Sequence, residues 1–171
     1  MITPDYCQTM ARYNAWQNQW MYAAADGLSE DDRRRDRGAF WGSIHGTLCH
    51  LYWGDLVWIA RFDGGEGPQH GLKESMAAYD WPMLMGARPM LDARMAAWAW
   101  SLDDAGLSGD LTWYSGSVDR EMTMPKAVCV MQLFNHQTHH RGQVHAMLTA
   151  SGIRTHDTDL PFMPEEVPEW R

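Results

Sequence analysis

Apolar residues recur at three- and four-residue steps in four stretches of the chain, and turn-forming residues separate the stretches. From about Pro4 to Gly27, Tyr6, Met10, Tyr13, Trp16, Trp20 and Ala24 keep this period. Thr3 stands at the N-cap and Pro4 at the first helical position, which predicts a first amphipathic helix. Ser29 to Gly38 is charged and reads as a connection with at most a helical turn of its own. Ser43 to Arg61 is predicted as a second helix, capped by Ser43 and stopped by Gly64-Gly65-Glu66-Gly67-Pro68. A third runs from about Asp80 to Asp103 with Met83, Leu84, Leu91, Met95 and Trp98 as apolar positions, and Pro89 is expected to kink or break it. Two short runs, Leu111 to Tyr114 and Arg120 to Thr123, flank Ser115-Gly116-Ser117 and predict a small β-hairpin. The fourth helix is expected from about Pro125 to Ser151, followed by an irregular, proline-rich and acidic tail from Ile153 to Arg171. The pattern as a whole predicts one all-α domain over residues 1–171, a four-helix bundle with long connections.

At 171 residues the chain is long enough for one real core. A formal charge of −8 argues against contact with a nucleic-acid backbone, which demands a basic face. The basic cluster Arg33-Arg34-Arg35 with Arg37 is interrupted by Asp31, Asp32 and Asp36 and reads as a solvated loop. Cys7, Cys49 and Cys129 are widely spaced without a CxxC pair, so reduced thiols in a cytoplasmic protein are expected. No basic region followed by an apolar stretch opens the chain and no run of about 20 apolar residues occurs, so neither export nor membrane insertion is expected. Ten Trp and 13 Met suit either core and dimer contacts or an aromatic-lined ligand site. The second helix is apolar on nearly every side, with Leu48, Tyr52 and Ile59 opposite His50. A helix so covered in a small domain suggests an identical partner subunit.

The segment Phe134-Asn135-His136-Gln137-Thr138-His139-His140-Arg141-Gly142-Gln143 carries the candidate chemistry. At about 100° per residue, His136 and His140 share a stripe with Leu133, Val144 and Met147 and should face the interior, whereas His139 and His145 point to solvent or a rim. His50 shares its face with Ser43, Thr47, Gly54 and Val57, and these small neighbours leave room for an ion and a substrate. Buried imidazoles without partners are costly, and three converging on one point normally bind a metal. Three histidines and an open position suit catalytic zinc, and nickel or ferrous iron also accept imidazole. His45 and Cys49 form another i, i+4 pair on the far side of the second helix, better explained by burial in a helix contact.

These residues resemble the DinB (DinB/YfiT-like) family of metalloenzymes. The resemblance rests on Tyr13-Asn14-Ala15-Trp16-Gln17-Asn18, on Gly42 to Leu51, on Phe134 to Gln143 and on Thr158-Asp159-Leu160-Pro161, and it spans about residues 5 to 163. It implies a bundle, commonly dimeric, with a divalent ion held by one histidine of the second helix and an HxxxH pair of the fourth. By position those are His50, His136 and His140. Cys49 departs from many family sequences, which have Asn there.

Some relatives are S-transferases that use bacillithiol or mycothiol, and others are maleylpyruvate isomerase-like. The resemblance thus implies a metal-dependent transferase, or a hydrolase-like metalloenzyme, in which the ion activates a low-molecular-weight thiol toward a small electrophilic substrate. Arg141, Gln143 and Asn14 are candidates for contacts to the ligands or the substrate. The rival reading is a metal- or small-ligand-binding module without turnover, and a third is a dry-cored bundle with solvated histidines.

Overall fold

The computed structural model describes residues 1–166; the end of the expected tail, residues 167–171, lies outside them. Four long helices form the framework: α1 (Pro4–Asp26), α3 (Ile44–Asp63), α5 (Trp81–Ser101) and α6 (Lys126–Ala150). Two short helices, α2 (Glu30–Arg34) and α4 (Leu72–Ala78), lie in the connections, and β1 (Asp110–Ser115) pairs antiparallel with β2 (Arg120–Pro125) ahead of α6. The caps are those expected: Thr3 Oγ1 accepts from the Tyr6 N–H, Ser43 Oγ from Gly46, and Asp80 Oδ1 from Met83. Gly64, at φ 74°, ends α3 in the left-handed conformation that a side chain resists.

Helix directions follow from residue pairs. Asp26 meets Trp81 and Asn18 meets Asp92, so α1 and α5 are antiparallel. His50 lies against His140 and Gly54 against His136, so α3 and α6 are antiparallel as well. Asp55 with Arg88 and Asp63 with Arg94 make α3 and α5 parallel. The bundle is therefore up-down-down-up, with α1 beside α5 and α6, and α3 beside the same two. A parallel neighbour requires the chain to cross back over the full length of the bundle, and residues 64–80 with α4 make that return.

Several expectations change. Helix α5 runs through Pro89 unbroken, because Leu84 and Arg88 before it and Leu91 and Met95 after it are all buried in the same interface. The triple-arginine segment is not wholly solvated. Arg33 is buried, and its guanidinium donates to the carbonyls of Ala25, Asp26 and Leu28, closing the open end of α1. The apolarity of α3 is met inside the chain, where Leu48, Tyr52 and Ile59 join the common core. The acidic tail is irregular but tethered to α1: Tyr13 donates to the Thr158 carbonyl and Gln17 to that of Asp157. Among the described residues no helix is long and apolar enough to cross a membrane.

Candidate metal centre

The antiparallel seam between α3 and α6 brings His50, His136 and His140 together, with ring centroids 4.8, 4.6 and 4.5 Å apart. Each offers one ring nitrogen within 4.8 Å of the others, so the cluster could hold a metal ion. The Nε2 atoms of His50 and His136 are 2.8 Å apart. Nitrogens bound tetrahedrally at 2.0–2.1 Å stand about 3.4 Å from one another, a value between these limits. Small rotations of the rings would seat an ion.

Gly54, one turn beyond His50, makes this approach possible: a Cβ there would stand 3.0 Å from Cε1 of His136. Alanine is the better helix former by roughly 0.5–1 kcal/mol. Gly54→Ala is therefore expected to leave the fold at least as stable while lowering zinc affinity roughly tenfold, as ligand misplacement does. Isothermal titration of the variant checks this; unchanged affinity would show that Gly54 is not spacing the rings.

His50 and His140 are each 7% exposed and His136 is half-buried. Burial first, and the neighbouring imidazoles second, hold His50 down at about 3 and His136 at about 4; His140 is also lowered, chiefly by burial. All three rings are thus neutral at pH 7, the form that binds metals. His140 Nδ1 lies 2.7 Å from Gln143 Oε1. The amide oxygen can only accept, which places the ring proton on Nδ1 and leaves Nε2 free. The Gln143 amide nitrogen lies in turn 3.4 Å from Nε2 of His139, an exposed ring. The Nδ1 atoms of His50 and His136 are buried with no partner among the described residues.

Arg141 and Asn14 come together away from the imidazoles. The Arg141 guanidinium donates to Asn14 Oδ1 and lies over the Tyr13 ring, and burial pulls its pKa down to about 10, so it stays charged. His45 Nε2 and Cys49 Sγ are instead 2.9 and 3.5 Å from the Tyr79 carbonyl, on the side of α3 away from the cluster. Burial raises the Cys49 thiol to about 12. Neither belongs to the group of three.

Trp41 is a wall of the site that sequence reasoning missed. Its indole stacks on His50 at 4.0 Å and 22°. The turn that carries it lies close on α3 because residue 46 is glycine: a Cβ there would be 2.4 Å from the Trp41 carbonyl oxygen. The glycines of Gly42-Ser43-Ile44-His45-Gly46 were the available signal. Also missed was the charge beneath the histidines, where Asp55 accepts from Gln137 and Arg88. A lone aspartate in an otherwise apolar stretch of α3 marks it.

A family model described as DinB family matches residues 1–171. The chain is also similar to Protein DinB of Bacillus subtilis (strain 168), at 24% identity over 160 residues, covering 91% of each chain.

Proposed function

The chain belongs to the DinB family, and from that premise we propose that it is a metal-dependent enzyme, with His50, His136 and His140 as the ligands of a divalent ion. The observation that carries this reading is three neutral imidazoles, two buried and one half-buried, aimed at one another. With a lone pair on each facing nitrogen they repel, and only a shared proton or a cation relieves that. The imidazole set accepts zinc, nickel or ferrous iron.

The reaction class we infer is transfer of a small thiol to an electrophilic substrate. An ion held by three imidazoles has an open position at which it can lower the pKa of an arriving thiol or water. The rest of the work falls to the protein. Gln143 fixes the tautomer and orientation of His140. Trp41 covers the face of His50 and excludes water from it. Asp55 is held by Arg88 and Gln137 and favours positive charge at His136 and His140. Cys49 is no source of the attacking sulfur, because its thiol is buried, high in pKa and turned to Tyr79. The same reading includes a homodimer, from the family resemblance, and a cytoplasmic location, from three free cysteines.

Three measurements test it. Purified protein is expected to carry close to one divalent ion per chain. Gln143→Leu should lower the affinity for that ion about 10- to 100-fold, and Gln143→Glu should keep or raise it. With ion bound, a panel of low-molecular-weight thiols and a reactive halide should show thiol consumption above a chelator-stripped control. Ion binding without consumption would make the protein a metal-binding module and overturn the enzymatic half of the proposal.

A further inference from the structure

The return segment between the parallel helices α3 and α5 bridges them without filling the space beneath. A cavity of about 700 Å³ remains, on the side of α3 away from the histidines. Its walls are Leu56 from α3 and Met83, Met90 and Leu91 from α5, and none of the three imidazoles lines it. That volume is typical of small-molecule sites, which are apolar with a few placed polar groups.

The placed groups are Tyr52 and Tyr79. Both line the cavity, both are more than nine-tenths buried (7% and 5% exposed), and their rings meet edge to face at 5.2 Å. Neither hydroxyl has a hydrogen-bond partner among the described residues, and neither oxygen is sealed from solvent, so both are free to donate into the cavity. Burial raises the pKa of both phenols, so they remain donors at neutral pH. The roof is anchored: Trp53 Nε1 donates to the His70 carbonyl, and the Tyr79 carbonyl accepts from His45 and Cys49.

Charge narrows the ligand. Arg94 is the guanidinium of the lining, which also holds His70, and it is already engaged by both oxygens of Asp63 at 2.7 and 2.8 Å and by the Glu66 carbonyl. With that guanidinium paired and the Glu66 carboxylate also in the lining, no unengaged lysine or arginine among the described residues faces the cavity and its charge favours an uncharged ligand over an anion. Methionine sulfur and tyrosine faces favour flat, polarizable rings.

The geometry points to a second ligand site at this cavity, for an uncharged aromatic molecule that carries a hydrogen-bond acceptor such as a ketone oxygen. The site is separate from the three-histidine centre and does not depend on it.

The test uses the full chain and N-phenyl-1-naphthylamine, an uncharged fluorescent probe, displaced by acetophenone or by ethylbenzene, which has the ring without the carbonyl. Saturable probe binding at one site is expected, with acetophenone competing about tenfold better than ethylbenzene. Replacing both tyrosines (Tyr52→Phe with Tyr79→Phe) should abolish that preference and leave ethylbenzene unaffected. Ala87→Phe, which builds a ring into the lining, should remove probe binding, and His140→Ala should not alter it. Absence of saturable binding, equal competition by the two compounds in the unmodified protein, or indifference to the tyrosine replacements would overturn the site. Loss of probe binding in His140→Ala would instead place the probe at the histidines, and would overturn it as well.

Discussion

Replacing Arg88 by methionine is expected to lower the unfolding free energy by about 3–5 kcal/mol, the cost of stranding buried charge. Arg88 is 1% exposed and donates to Asp55 Oδ2 at 2.7 Å and to Asp92 Oδ1 at 2.6 Å. The same Asp92 oxygen accepts from Asn18 on α1, and the other Asp55 oxygen accepts from Gln137 on α6. One guanidinium thus ties together side chains from all four long helices. Burial opposes its charge, but Asp92 and Asp55 outweigh that and its pKa is raised. Removing the cation leaves two carboxylates facing one another in the core, and one must take up a proton or the helices must part. Urea denaturation with and without excess zinc measures the loss. A change of under about 1 kcal/mol would show that water already reaches the carboxylates. Replacing Arg88, Asp55 and Asp92 together by apolar residues should cost far less, because no charge is then left unpaired.

That network marks where sequence reasoning stops. The long helices were legible because of local signals: Thr3, Ser43 and Asp80 as caps, Gly64 as a stop, and apolar residues at helical spacing. So were the hairpin and the stripe shared by His136 and His140. Helix α4 was not, since Gly71 caps it without a side-chain hydrogen bond and its seven residues follow a glycine-rich stop. The position of Arg33 depends on where the end of α1 lies in space. Trp41 owes its place on His50 to a close approach of loop and helix whose one trace in the sequence is the pair Gly42 and Gly46. The candidates Arg141 and Gln143 illustrate the same limit, being two residues apart in one helix: Gln143 lies on the rim beside His140, while Arg141 turns across the core to Asn14.

Zinc at about 100 times its dissociation constant is expected to stabilise the protein by about 2.7 kcal/mol, which for a chain of this size raises Tm by roughly 5–10 °C. His140→Ala should abolish the shift: it removes the ring that Gln143 holds in the metal-binding tautomer and leaves two imidazoles, one on each helix. The ion-free protein should also respond to acid in a particular window. The folded-state pKa values of His50 and His136, about 3 and about 4, lie below the ordinary 6.5. Between 6.5 and those values the unfolded chain binds protons that the folded chain refuses, so stability falls as pH drops through this window and is untouched by these groups above it. Thermal melts from pH 7.5 to 5, with and without zinc, test both statements. A zinc-dependent Tm shift that persists in His140→Ala would place the ion elsewhere. Ion-free stability that stays flat below pH 6.5 would mean that the rings titrate as exposed imidazoles and do not face one another in a dry seam.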